Sequence, residues 1–212
     1  MTAPRYSPRE ELANTLTHGA GILASAAGAA VLVVLAAGNS ATAVVAASVF
    51  GGSLILLYTA STLYHATQRS TTKVHLKVLD HCAIYVLIAG TYTPFTLVGL
   101  RGAWGWSLFG VIWGLAAAGV VFKLFWTGRF SKVSTALYIA MGWLILIAAV
   151  PTIRALSPLT LAWLFAGGVA YTSGTFFYHN RRIPYAHAIW HVFVLAGSVS
   201  HGIAVGVQMV GA

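Results

Sequence analysis

The run HAIWHVFVLAGSVSHGIAVGVQMV, residues 187–210, contains no Lys, Arg, Asp or Glu. A helix needs about 20 mostly apolar residues to cross a bilayer, so this run reads as a membrane span entered through two histidines one turn apart. Six further runs of the same kind precede it, at 16–37, 42–65, 80–100, 103–125, 132–152 and 158–178. Turn chemistry or charge separates them: GNSA at 38–41, TQRSTTKVHLKV at 67–78, LRG at 100–102, TGRFSK at 127–132, RALSP at 154–158 and HNRRIP at 179–184. The reading is an all-α integral membrane protein, a bundle of seven transmembrane helices forming a single domain over residues 1–212. Pro94 is expected to kink the third span, and Gly110/Gly114 and Gly202/Gly206 have the small-xxx-small spacing that lets membrane helices approach closely.

Composition agrees. The chain is 58% hydrophobic and 7% charged, with a mean hydropathy of +0.83, whereas about a quarter of the residues of a soluble domain are charged. The opening MTAPRYSPRE is polar and lacks the charged start and short apolar core of a secretory signal, so the first span is expected to be retained. The single cysteine, Cys82, excludes an intramolecular disulfide and reads as a packing residue.

A net charge of +9 would suggest nucleic acid in a soluble protein, but here the placement of the cations decides. Arg5, Arg9, Arg69, Lys73, Lys77, Lys123, Arg129, Lys132, Arg181 and Arg182 fall on the side that receives the N-terminus and the loops after spans two, four and six. Lys123 is placed there on the expectation that it snorkels from the inner end of span four. Only Arg101 and Arg154 face the other way. The positive-inside rule makes the N-terminus cytoplasmic and the C-terminus external. A nucleic-acid partner is thereby disfavoured, membrane lipids are the expected partners, and the expected location is the cell inner (plasma) membrane, crossed several times.

Ionisable groups inside spans are costly and therefore point to function. His18, His65, Asp80 with His81, and the pair His187/His191 all fall at the cytoplasmic ends of spans one, two, three and seven. Residues four apart share a helix face, which pairs His187 with His191 and Ser61 with His65. Two imidazoles one turn apart can grip a divalent ion, and His65 would add a third nitrogen, leaving one tetrahedral position open, as in a catalytic zinc site. The chain has three acidic residues, Glu10, Glu11 and Asp80, and only Asp80 opens an interior span. It is the available proton acceptor, with Ser61 as a further hydrogen-bond donor near the metal.

Other groups carry blander readings. His75 and His179 read as hydrogen-bonded boundary residues, and His81 points about 100° away from Asp80. His201 lies about 15 Å along the helix from His191 and is expected to make an interhelical hydrogen bond. Haem is disfavoured because both histidines of the pair lie on one helix face. Glu11, Asn14 and His18 share one face of span one, which reads equally as helix capping or as a cover over the metal site.

The segments EELANTLTH (10–18), STLYH (61–65), LDHCAIYVLIAGTYTPF (79–95) and HAIWHVFVLAGSVSH (187–201) together resemble the hemolysin III family. This is the bacterial branch of the progestin and adipoQ receptor family, which includes the adiponectin receptors. The resemblance implies seven spans with a cytoplasmic N-terminus and a Zn2+ ion held by His65, His187 and His191, with Ser61 and Asp80 beside it. It also implies hydrolysis of a lipid amide or ester, of the ceramidase type attributed to the animal receptors. Two other functions accompany it: a membrane-fluidity regulator in which zinc is structural, and a pore-forming cytolysin, for which the apolar middles of the spans offer no polar lumen.

Overall fold

The computed structural model describes residues 6–180 and 182–211; Arg5 and Arg181, counted above on the basic side, lie outside them. The described residues form helices and short connections, with no strand among them.

Helix α1 (Pro8–Ala37) starts well before the expected span because its first turn is capped locally. The Ser7 hydroxyl accepts from the Glu10 amide at 3.3 Å, and the Glu10 carboxylate accepts from the Ser7 amide at 2.9 Å. This is a capping box with Pro8 at the first helical position. The Ser40 hydroxyl accepts from the Ala43 amide at 3.1 Å and caps α2 (Ala41–Ala66). Helix α3 (Ser70–Pro94) corrects the expected break at 67–78, of which only 67–69 stay outside helix. Hydropathy locates the membrane, and a polar helix can continue beyond it. Pro94 cannot donate to the carbonyl four residues back, and the chain proceeds as wider π-helical turns over Phe95–Leu100.

Helix α4 (Gly102–Trp126) is followed by a span that is not one helix. It comprises α5 (Ser131–Gly142), a 3-10 segment (Leu144–Ala148) and α6 (Ala149–Ala155), which contains Pro151. Groups released at the break must be satisfied internally if lipid surrounds it. Tyr92 of α3 does this: its hydroxyl donates between the Met141 and Gly142 carbonyls, each at 3.0 Å, and accepts from the Ile145 amide at 2.9 Å. Ser157 then caps α7 (Pro158–His179), and α8 (Ala186–Val210) completes the chain.

Among the described residues, six helical stretches are long and apolar enough to cross a membrane: Pro8–Ala37, Ala41–Ala66, Ser70–Leu100, Gly102–Trp126, Ser131–Ala155 and Ala186–Val210. The remaining expected span, 158–178, is helical but is not among the six, and its second half carries the polar run YTSGT. Large apolar side chains such as Leu23, Val34, Val45, Phe125, Ile147 and Phe165 stand exposed on the outside, far more than water-facing surfaces carry.

Helices α1, α2, α3 and α8 pack around a core that includes Phe50, Leu54, Leu57, Leu87, Val194 and Val205. Small residues permit the approach of α2 to its neighbours: a Cβ on Gly51 would strike Ala29, and one on Gly90 would strike Ser53. The glycine pairs singled out by spacing do not do this. A Cβ on Gly110, Gly114 or Gly202 would meet nothing within 4 Å, and one on Gly206 would make only ordinary contact with Leu32. Spacing alone does not say which face of a helix meets a neighbour. Lys123 also departs from expectation. It is 2% exposed and turns onto the Ser134 hydroxyl at 2.5 Å rather than running out to the surface.

Candidate metal centre

The last turn of α2 presents His65, and the first two turns of α8 present His187 and His191. One ring nitrogen from each lies within 4.8 Å of the other two. The ring centroids are 5.0 Å apart for His65 and His187, 5.1 Å for His65 and His191, and 4.6 Å for His187 and His191. Helical i, i+4 spacing accounts for the last pair, and the meeting of α2 with α8 supplies the third ring.

The outward-turned nitrogens of two rings are already engaged. His65 Nδ1–H donates to the Glu11 carboxylate at 2.7 Å, and Glu11 in turn accepts from the Lys73 ammonium at 2.8 Å. His191 Nδ1 donates to the Asn14 backbone carbonyl at 3.2 Å and lies 3.1 Å from the Thr17 hydroxyl. Both contacts place the proton on Nδ1 and leave Nε2 with its lone pair, the arrangement by which outer partners fix the tautomer of metal-binding histidines. His65 Nε2 is buried and has no hydrogen-bond partner. An uncharged set of three imidazoles with such an orphaned nitrogen fits a divalent ion of the zinc type.

The polar face of α1 thus lies over the cluster. Glu11, Asn14 and Thr17 touch its rings, and His18 stacks on His191 with centroids 3.4 Å apart and planes 10° from parallel. The reading of this face as a cover over the cluster is the one the contacts support, and Ser7 with Glu10 does the capping. Tyr6, which sequence reasoning did not single out, places its ring 5.1 Å from His187 and 5.9 Å from His65. No spacing rule links residue 6 to residue 187.

Asp80 and Ser61 line the same cavity as His187 and His191, a space of ≈ 700 Å³. The one ion-pair neighbour of Asp80 among the described residues is His81 Nδ1 at 3.9 Å, and that nitrogen already donates to the Lys77 carbonyl at 2.6 Å. Ser61 is 1% exposed to solvent. Further along, the walls become apolar, with Leu87, Ile88, Phe95, Leu146 and Leu161. His201 donates from Nε2 to the Leu164 carbonyl at 3.2 Å, the interhelical bond expected of it. His179 pairs with the Thr135 hydroxyl at 2.9 Å as a boundary residue. Cys82 is a buried free thiol whose Sγ donates to the Val120 carbonyl at 3.9 Å.

Known proteins resemble the chain over most of its length. The family model described as "Haemolysin-III related" matches residues 6–202. A "Hemolysin-3 homolog" of Bacillus subtilis is 47% identical, the match covering 92% of each chain. "Hemolysin-3" of Bacillus cereus is 46% identical over 93% of this chain and 91% of its own. The human "Monocyte to macrophage differentiation factor" is 29% identical over 95% of this chain and 86% of its own.

Proposed function

The chain belongs to the hemolysin III family of membrane proteins, and from that premise we propose that it is a zinc-dependent hydrolase of a lipid amide or ester. We place it as seven spans in the plasma membrane, with the N-terminus and the histidine cluster on the cytoplasmic side. The observation that carries the reading is the cluster of three imidazoles, two of them held through Nδ1, of which His187 and His191 line a largely apolar cavity together with Asp80 and Ser61.

His65, His187 and His191 would hold the ion. Zinc supplies Lewis acidity toward a carbonyl oxygen and makes water a usable nucleophile near neutral pH. Asp80, with His81 Nδ1 at 3.9 Å, accepts the proton of the attacking water on a carboxylate oxygen and passes it to the leaving nitrogen or oxygen. Ser61 orients that carboxylate or the substrate carbonyl through its hydroxyl. The apolar wall beyond holds the acyl chain and excludes bulk water from the polar end. Glu11 and the Asn14 carbonyl keep the His65 and His191 rings in the required orientation.

Asp80→Asn separates this from a structural role for the metal. Purified protein in neutral detergent, offered lipid amides and esters, is expected to lose on the order of 10²–10⁴ in turnover on this substitution, the range for a positioned acid or base, while keeping its metal. Undiminished hydrolysis by the variant would overturn the mechanism. A second reading, in which the ion only staples α2 to α8 within a membrane-fluidity regulator, draws on the origin of the ligands from those two helices. It expects His191→Ala to lower thermal stability and Asp80→Asn to change nothing.

A further inference from the structure

A second polar focus lines the same cavity, built from Lys123 of α4 and residues of α5 and α7, which the proposed hydrolysis does not use, together with Lys77 of α3. Lys123 of α4 is 2% exposed. Its ammonium donates to the Ser134 hydroxyl at 2.5 Å and lies 5.8 Å from the Tyr138 ring centroid and 5.9 Å from that of Phe122. Lys77 of α3, Ser131 and Thr135 of α5 and His179 of α7 line the cavity with it.

The chain has three acidic residues, and none pairs with Lys123 among the described residues. Glu10 is turned onto Ser7, Glu11 lies between His65 and Lys73, and Asp80 has His81 as its ion-pair neighbour. A cation removed from water without a counter-charge is strongly unfavourable, and one facing a cavity asks for an anionic ligand. From this cation the cavity continues along one face of α3 through Ile84, Leu87, Ile88 and Phe95. From Lys77 to Phe95 that face rises about 27 Å at 1.5 Å per residue. The fitting ligand therefore carries an anionic head and a long aliphatic tail.

We infer that Lys123, with Lys77 beside it, binds the phosphate group of an anionic single-chain lipid whose tail occupies the apolar part of the cavity. Lysine acts as a point charge toward phosphate, and the Ser131 hydroxyl, which lines the cavity with it, provides a further donor to a tetrahedral head with several acceptor oxygens. The inference shares its cavity with the proposed hydrolysis but does not need turnover.

Retention of lipids by the purified full-length protein, measured by native mass spectrometry from neutral detergent, tests it without any reaction. The probes are 1-oleoyl lysophosphatidate, monooleoylglycerol, oleate and inorganic phosphate. Wild type is expected to retain lysophosphatidate at least about tenfold better than monooleoylglycerol, as hydrogen bonds to a charged group would give. Lys123→Gln abolishes that preference, Lys123→Arg restores most of it, and Lys77→Gln reduces it several-fold, with metal content unchanged in each variant. A wild type without the preference overturns the inference whether or not Lys123→Gln folds, and so does a folded Lys123→Gln that keeps it. Oleate retained as well as lysophosphatidate overturns the phosphate assignment. Displacement of lysophosphatidate by equimolar inorganic phosphate overturns the lipid as its source. Any of these failures leaves Asp80-dependent hydrolysis standing, and loss of hydrolysis leaves the retention pattern standing.

Discussion

Glu11 illustrates what a single residue contributes that its neighbours in sequence do not announce. It sits in the first turn of α1, where an acidic residue ordinarily complements the helix dipole, yet its carboxylate bridges His65 Nδ1 and Lys73 Nζ. Glu11→Gln removes the charge that favours a proton on His65 Nδ1. Loss of such an outer partner typically costs 10- to 100-fold in metal affinity, so competition with a chromophoric chelator is expected to show weaker zinc binding by a factor in that range. Unchanged affinity would mean that the Glu11–His65 contact has no part in metal binding. The three clustered histidines themselves were legible, because imidazoles are scarce in spans and four-residue spacing is a helix-face rule. The face Glu11–Asn14–His18 was legible as a stripe. Its contact with His65, 54 positions from Glu11, was not, since only the packing of α1 on α2 creates it.

Among the elements, hydropathy located where spans run but not where helices begin, end or break. The capping box at Ser7–Glu10 lengthens α1, and polar residues from Ser70 onward lengthen α3, neither of which a hydrophobic window registers. The break between α5 and α6 has a local sign in Pro151, but its repair by Tyr92 comes from another helix. Tyr92→Phe leaves the Ile145 amide without the hydroxyl it donates to and the Met141 and Gly142 carbonyls without a donor. A buried polar group left unpaired costs about 1–3 kcal/mol. A lowered midpoint in detergent thermal unfolding is the expected result, and a midpoint equal to wild type would show that the break is satisfied in some other way. The glycine pairs teach the complementary point: Gly51 and Gly90 mediate close helix approach, and the Gly110/Gly114 and Gly202/Gly206 pairs, which fit the spacing rule, do not.

At the scale of the whole molecule, segments far apart in the chain converge at one end of the bundle. Helix α2 contributes His65, α8 contributes His187 and His191, and α1 covers them with Glu11, Asn14, Thr17 and His18. A cavity runs from that end into the apolar interior, lined on the way by Asp80 and Lys123. This gathering was legible in part, because the alternation of apolar runs places His18, His65, His187 and His191 at span ends that fall on the same side of the bundle. The burial of Lys123 was not, since snorkelling and inward pairing look alike in sequence. The convergence has a direct consequence: a metal bound here needs both helices, so removing one α8 ligand should release it although α2 is untouched. Metal analysis of purified wild type beside His187→Ala is the measurement that bears most directly on this. The account predicts close to one zinc per chain in wild type and nearly none in a folded His187→Ala. A wild type purified without metal, or a variant that keeps the full amount, would contradict it.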